Sequence, residues 1–146
     1  LWVISQGDYL NPQTQTLTKI DVATFVIEQT FQLEGMSASQ IKINGSGSEI
    51  YFLNNDYTTG AVRGEVYKMS ITANTLPSEA FISNSGVNFY GLGIDDLNED
   101  IYIGDAGDWA EAGTVYRYGA DAGFIGSFKA GVGPGAFCFM RFYLTE

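Results

Sequence analysis

The chain has no histidine, a single cysteine and only seven lysine or arginine residues. Without histidine it cannot form, from its own residues, a Ser-His-Asp or Cys-His catalytic arrangement or a zinc site of cysteine and histidine ligands. The one cysteine, Cys138 in "AFCFM", excludes an intrachain disulfide and leaves the redox compartment open. We therefore expect no catalytic residues, no metal site and no cofactor.

Basic residues and long apolar runs are also scarce. The net charge is −10, and such a surface repels a phosphate backbone, so we expect no nucleic-acid partner. No apolar run approaches the roughly 20 residues of a membrane span, so we expect no transmembrane segment. The chain starts "LWVISQGD", without a methionine or a basic leader, so we expect either a removed leader or an internal piece of a longer protein, and the strand-like start favours the piece.

Glycine and aromatic residues are abundant instead. The 146 residues include 18 Gly, 10 Phe and 9 Tyr, and 45% of them are hydrophobic. This length suits one ordinary domain with its own core, and the composition is not that of a disordered chain. Many aromatics together with many glycines favour short strands joined by tight turns. The composition therefore predicts an all-β protein.

A repeat of about fifty residues organises these strands. "IYFLN" (50–54) matches "IYIGD" (101–105), and "GEVYKMS" (64–70) matches "GTVYRYG" (113–119). In the other direction, "LWVIS" (1–5) matches "IYFLN". Each full unit reads as four short alternating segments separated by turn residues, the pattern of an antiparallel meander.

Four-stranded antiparallel units of this length are the blades of a β-propeller. We predict a partial propeller over residues 1–146, with about three blades. Residues 1–34 give strands B, C and D of one blade, 38–84 the second blade, 88–130 the third, and 135–140 strand A of the next or closing blade. Because a ring needs at least four blades, the others must come from missing sequence or from a second copy of the chain.

An acidic residue followed by an aromatic one recurs in the loop between strands B and C of each blade. We predict that these loops lie on one face of the propeller, together with the residues just ahead of strand A. Loops on a rigid scaffold commonly carry binding sites. An Asp in such a loop equally suits an Asx-turn, with the neighbouring ring packed on the next blade. The candidate ligand-binding residues are Asp8, Tyr9, Gln40, Asp56, Tyr57, Tyr90, Asp108 and Trp109.

Two other acidic patterns have a structural and a functional interpretation. "DDLNED" (95–100) is rich in oxygen ligands, but it lacks the glycine and trailing glutamate of an EF-hand loop and aligns with a turn, "NGSGSE". We interpret it as a hairpin turn. Glu65, Asp105, Asp108 and Glu111 offer carboxylates for glycosidase-like chemistry, although seventeen scattered acids make such pairs common by chance.

The stretch "YGLGID…DIYIGDAGDW…GTVYRY…GSFKAGVGPGAF" within residues 89–139 resembles the YncE-like propellers of Bacteroidetes, often labelled surface layer proteins. The resemblance implies a seven-bladed propeller that is exported to the cell surface, outer membrane or periplasm, often as a lipoprotein. Known relatives include cobalamin-capturing surface lipoproteins. The family's motif near the chain's "GPGAF" (133–137) tends to carry a histidine, which is absent here.

The leading functional hypothesis is a non-catalytic cell-surface or envelope module that presents an acidic and aromatic loop face to a small molecule, glycan or protein. One alternative is a propeller enzyme, such as a calcium-dependent lactonase or a lyase, with a divalent ion in the central channel. Another is a surface-layer or assembly protein that makes contacts through open blade edges. Whether the chain is an enzyme stays open, with a binding role preferred.

Overall fold

The computed structural model describes residues 1–7, 15–56 and 62–140, and in these ranges the chain contains strands and turns but no helix. The described residues form eleven strands in three antiparallel sheets. Sheet 1 contains β1 (Trp2–Ser5), β2 (Thr16–Ile20) and β3 (Ile27–Gln32). Sheet 2 contains β4 (Ala38–Ile43), β5 (Glu49–Asp56), β6 (Arg63–Ser70) and β7 (Ile82–Ser85). Sheet 3 contains β8 (Phe89–Ile94), β9 (Ile101–Asp105), β10 (Thr114–Tyr118) and β11 (Phe124–Lys129).

Within each sheet the strands are paired in chain order, so every sheet is a meander. Tight turns make this possible, as in the β4–β5 turn "NGSGS". There the Asn44 carboxamide oxygen accepts hydrogen bonds from the backbone N–H groups of Ser48 and Glu49. Its amide nitrogen donates to Glu99 Oε1 at 3.0 Å, which links this turn to the β8–β9 turn of sheet 3. One asparagine thereby closes a hairpin and joins two sheets.

The core lies between the sheets, and sheet 2 has both faces buried. Side chains alternate along β5: Tyr51 and Leu53 pack into the core shared with sheet 3, whereas Ile50 and Phe52 pack into the core shared with sheet 1. All four have exposed fractions of 0–1%. Successive residues of a strand point to opposite faces, so this uninterrupted apolar run marks a strand covered on both sides.

Close approach between sheets 2 and 3 requires a glycine on β6. The ring of Phe89, from the first strand of sheet 3, lies over Gly64, and a Cβ at this glycine would stand 2.5 Å from the ring. Asn55 fixes the same contact with two backbone hydrogen bonds: its Nδ2 donates to the Phe89 carbonyl at 2.7 Å, and its Oδ1 accepts from the Phe89 N–H at 3.1 Å. Sheet packing and hydrogen bonding therefore position β8 together.

The strand expected at residues 135–140 does not form in this structure. A strand needs a neighbour for its backbone hydrogen bonds, and no described strand pairs with this segment. The segment instead crosses the outer face of sheet 3, where the rings of Phe137 and Phe139 lie 6.2 and 5.2 Å from that of Tyr102. Pro134 lies over Gly104, where any Cβ would collide with the proline carbonyl. The segment thus covers sheet 3 much as β8 covers sheet 2.

Candidate functional site

The β9–β10 loop and the β7–β8 connection meet at one end of sheet 3, which we call the loop end. Ala106, the first residue after β9, donates its backbone N–H to the Asn88 carbonyl at 2.9 Å. Asn88 in turn donates its backbone N–H to Asp105 Oδ1 at 2.8 Å. The connection into β8 is therefore held against the loop that carries Asp108 and Trp109.

Asp108 is an Asx-turn residue. Its Oδ1 accepts hydrogen bonds from the backbone N–H groups of Ala110 at 3.0 Å and Glu111 at 3.2 Å. These two bonds, that from Ala110 first, hold the pKa of the exposed Asp108 carboxyl below its ordinary value. The turn-forming interpretation of this aspartate is confirmed, and the carboxylate stays ionised at neutral pH.

Trp109 and Tyr90 form a half-exposed aromatic pair at the loop end. Their ring centroids are 4.5 Å apart with an interplanar angle of 74°, an edge-to-face arrangement. Trp109 is 50% exposed and Tyr90 40% exposed. Both rings lean on the segment after β11: the Trp109 ring lies against Gly133, and a Cβ at Gly135 would stand 2.6 Å from the Tyr90 ring. The pair is anchored on one side and open on the other.

Tyr90 and Gln40 occupy equivalent positions in sheets 3 and 2. Each lies inside the first strand of its sheet at a shift in pairing register, between Phe89 and Gly91 in β8 and between Ser39 and Ile41 in β4. Both are therefore bulge residues within strand A, rather than residues just ahead of it. A bulge inserts one unpaired residue and re-aims its side chain. Gln40 adopts a positive φ of 49° to do so.

Two buried polar residues, Asn54 in β5 and Asp105 at the end of β9, have a structural role that was not expected from the sequence. Asn54 Oδ1 accepts the backbone N–H of Ser37 at 2.7 Å, and Asp105 Oδ1 accepts that of Asn88 at 2.8 Å. Asn54 and Asp105 thus make the same bond in successive sheets: each accepts the backbone N–H of the residue just before the first strand of its own sheet, β4 or β8. Their signal in the sequence was their matching position in the repeat, at the end of "IYFLN" and "IYIGD".

Three of the four carboxylates considered for glycosidase-like chemistry, those of Glu65, Asp105 and Asp108, take part in structural bonds. Glu65 Oε2 accepts from Asn54 Nδ2 at 2.8 Å and from the Tyr67 hydroxyl at 3.3 Å. Asp105 accepts two backbone N–H groups, those of Asn88 and Gly107. In the described ranges, every buried side-chain nitrogen and oxygen has a hydrogen-bond partner.

The acidic stretch 95–100 is the turn between β8 and β9, as interpreted from the sequence. Asp95 Oδ1 accepts the backbone N–H of Leu97 at 3.0 Å. Asp100 is 6% exposed and forms an ion pair with Arg117 of β10. Among the described residues, no group of three or more acidic or sulfur side chains is arranged to hold a metal ion.

The structure brings together three of the eight candidate residues, Tyr90, Asp108 and Trp109, at the loop end of sheet 3. Gln40 takes the equivalent bulge position in sheet 2. Asp56 is the last residue of β5, and its side chain is outside the described part of the chain. Asp8, Tyr9 and Tyr57 lie outside the described residues, so their membership of the site stays a prediction.

No protein-family model and no curated protein matches this chain. Among solved structures it is similar to Kuenenia stuttgartiensis hydrazine synthase, with a TM-score of 0.55 and 15% sequence identity. The match covers 84% of this chain and 45% of that one, so this chain spans less than half of its length. At this identity the likeness shows the fold alone: repeated antiparallel sheets consistent with a propeller-like fold. No helix in the described ranges is long and apolar enough to cross a membrane.

Proposed function

We propose that the chain supplies three blades of a larger β-propeller and acts as a non-catalytic binding module of the cell envelope. The fifty-residue repeat and the face-to-face packing of three sheets support the propeller. The resemblance to YncE-like surface layer proteins supports an exported protein and a seven-bladed parent. The ligand class is a small molecule or glycan that stacks on aromatic side chains.

The observation that carries this proposal is the half-exposed pair of Tyr90 and Trp109. The two rings come from different segments, the β8 bulge and the β9–β10 loop, and converge at 4.5 Å. Rigid aromatic side chains give a large contact area at a small entropic cost, and an edge-to-face pair presents two differently oriented surfaces. The ionised Asp108 next to Trp109 adds an acceptor for the hydroxyl or amino groups of a ligand.

Isothermal titration calorimetry against cellohexaose, mannan oligosaccharides and cyanocobalamin tests the proposal. For a probe that binds the parent chain, we expect Tyr90→Ala with Trp109→Ala to weaken affinity roughly tenfold or more, since aromatic contacts contribute about 0.5–1.5 kcal/mol each beyond buried area. Phe25→Ala is the matched control, because Phe25 is 81% exposed in the β2–β3 turn, far along the chain from the loop end.

Fluorescence provides a second readout, because the chain has only two tryptophans. Trp2 stacks on Phe31 at 6.1 Å in the core shared by sheets 1 and 2, so Trp109→Phe leaves a signal from the core alone. Ligand-induced changes should disappear in that variant. Unchanged affinity in the double alanine variant would refute the proposal, and a large loss of thermal stability would show that the rings serve to anchor residues 131–135.

A further inference from the structure

The β4–β5 turn contains the only Asn-Gly pair in the sequence, Asn44-Gly45. The contact between sheets 2 and 3 makes a demand on each of these positions. A Cβ at position 45 would stand 2.0 Å from the carbonyl oxygen of Asp96 in the β8–β9 turn, so only glycine fits there. Asn44 is 5% exposed, and its side chain both accepts and donates hydrogen bonds. The packing of two sheets therefore selects this dipeptide at the place where they meet.

Five hydrogen bonds hold the Asn44 carboxamide. Its Oδ1 accepts the backbone N–H groups of Ser48 at 2.9 Å and Glu49 at 3.0 Å. Its Nδ2 donates to three oxygens, Ser46 Oγ at 2.8 Å, Ser48 Oγ at 3.3 Å and Glu99 Oε1 at 3.0 Å. Only Glu99 comes from the neighbouring sheet. Separation of the two sheets would therefore remove the Glu99 acceptor and the cover provided by the β8–β9 turn together.

An Asn-Gly pair is the dipeptide most prone to lose the side-chain amide, because glycine lets its own backbone nitrogen reach the preceding side chain. The Gly45 nitrogen bonds to Cγ of Asn44, the Cγ–Nδ2 bond breaks, and ammonia leaves with the proton of the Gly45 N–H. Water then opens the cyclic imide at either carbonyl and yields aspartate or isoaspartate. Ring closure requires rotation of the backbone at Gly45 and withdraws Nδ2 from its three acceptors. The packed turn opposes both movements.

We propose that Asn44 is a site of spontaneous deamidation, which becomes reactive when sheets 2 and 3 separate locally. Proteins open in such local units, each with its own equilibrium between packed and open forms. When opening and closing are fast, the rate of deamidation equals the rate in the unfolded chain multiplied by the fraction of molecules in which the contact is open. The chemistry at Asn44 therefore records how often the two sheets part.

Both products oppose repacking of the sheets. Aspartate at position 44 places a carboxylate oxygen where Nδ2 donated, 3.0 Å from Glu99 Oε1, and two like charges at this distance repel. Isoaspartate lengthens the main chain of the turn by one carbon atom. This displaces the bonds that close the turn, from the Asn44 N–H to the Glu49 carbonyl and from the Gly47 N–H to the Asn44 carbonyl. The modification thus turns a reversible opening into a lasting one.

Peptide mass spectrometry of the chain, incubated at mildly alkaline pH with and without urea, tests the inference. We expect Asn44 to deamidate at least roughly tenfold more slowly in the folded chain than in the unfolded one. Glu99→Ala should raise the rate in the folded chain roughly tenfold, because a hydrogen bond to a charged group is lost. Glu99→Gln keeps an acceptor oxygen and should stay close to the parent. Glu111→Ala, which removes an exposed acid from the β9–β10 loop, is the matched control and should leave the rate unchanged.

Asn44→Asp reproduces one product and tests its effect on the contact. The Phe89 N–H donates to Asn55 Oδ1 across sheets 2 and 3, so hydrogen exchange of this amide reports their separation. We expect Asn44→Asp to speed this exchange roughly tenfold. Adding Glu99→Gln, which offers a donor to the new carboxylate, should restore slow exchange. Asn74→Asp adds the same charge at an exposed position of the β6–β7 connection and should have no effect.

Equal rates of deamidation in the folded and unfolded chains would overturn the inference, as would an unfolded chain in which Asn44 does not react. Equal rates in folded Glu99→Ala and Glu111→Ala would also overturn it, with circular dichroism establishing that both variants are folded. Fast exchange at Phe89 in Asn74→Asp as well as in Asn44→Asp would contradict the effect assigned to the product. None of these results depends on ligand binding at Tyr90 and Trp109, so the two proposals stand or fall separately.

Discussion

The substitution Asn54→Asp tests whether the buried polar contacts are as specific as the structure indicates. Asn54 is 4% exposed and Glu65 9% exposed. Asn54 Nδ2 donates to Glu65 Oε2 at 2.8 Å, while its Oδ1 accepts the Ser37 N–H. Aspartate has nearly the same shape and keeps the acceptor towards Ser37, but it places a second carboxylate oxygen where the donor stood.

The loss of stability expected for Asn54→Asp follows from the distance between residue 54 and the Glu65 carboxylate. Two unit charges 2.8 Å apart repel by about 6 kcal/mol at an effective dielectric constant of about 20. The carboxyl pair avoids this repulsion by binding one proton, because holding an ordinary carboxyl group protonated at pH 7 costs about 3 pKa units, or about 4 kcal/mol. We therefore expect Asn54→Asp to lower the free energy of unfolding by about 3–4 kcal/mol at pH 7, the protonation cost being the ceiling.

Urea denaturation followed by circular dichroism measures this loss. The folded carboxyl pair has a raised pKa, so the deficit is largest at neutral pH and shrinks as the pH falls towards 4. The double variant Asn54→Asp with Glu65→Gln should recover most of the stability. Asp105→Asn is the matched control: Asp105 occupies the equivalent position, but its cross-strand neighbour is Thr114 rather than a glutamate, so we expect a change of about 1 kcal/mol or less. A loss below 1 kcal/mol for Asn54→Asp, or no recovery in the double variant, would refute the reasoning.

Three further measurements follow from other contacts. Gly104→Ala should drive the Pro134 carbonyl away from sheet 3. We therefore expect the free energy of unfolding to fall by about 1–3 kcal/mol and limited proteolysis after residue 131 to become faster. Gly126→Ala is the control, because a Cβ at Gly126 meets open space, and it should change neither quantity. Burial raises the pKa of Tyr51, and also those of Tyr116 and Tyr118, so absorbance at 295 nm should show phenols that titrate above pH 10, and Tyr51→Phe should reduce their number by one. The contribution of Tyr51 to stability is present below pH 10 and is lost as the pH rises through the raised value. The pKa of Asp108 is lowered, so its turn should persist below the ordinary aspartate value of about 3.9 and be lost only at more acid pH. An NMR titration of the carboxyl carbon can follow this loss. A titration midpoint at or above the ordinary value would contradict the assigned hydrogen bonds.

Much of the fold could be predicted from the sequence because strands leave a strong local signal. The uninterrupted apolar run at 50–53 predicted a strand, and its recurrence at 101–103 predicted the repeat. The bulges at Gln40 and Tyr90 could not be predicted, because neither residue is a glycine and the positive φ of Gln40 is imposed by the surrounding sheet. The expected strand at 135–140 depends on a neighbour, and pairing is a property of two segments rather than one.

Only the part of the candidate site that depends on neighbouring residues could be predicted from the sequence. The turn made by Asp108 depends on the next three residues, so the local sequence was enough to suggest it. The contact of Trp109 with Tyr90 joins positions 19 residues apart and depends on how two loops meet. Asn54 was passed over because it looks like an ordinary polar residue in a strand, and Asp105 was considered only as a carboxylate for catalysis. Their structural role shows only in the bond that each accepts from the residue just before the first strand of its own sheet, Ser37 and Asn88.

The burial of sheet 2 on both faces has a consequence for how the molecule opens. Its residues contribute to two cores, whereas sheets 1 and 3 each share only one core with it. In a series of stacked repeats, stability is a sum of unit and neighbour terms, so a unit that shares two cores opens less easily than one that shares a single core. Amide hydrogens of β5 should exchange slowest, and those of β1 and β11 fastest. Local opening of sheet 1 or sheet 3 leaves sheet 2 packed against its other neighbour, so sheet 2 stays folded as long as one of the two cores is intact.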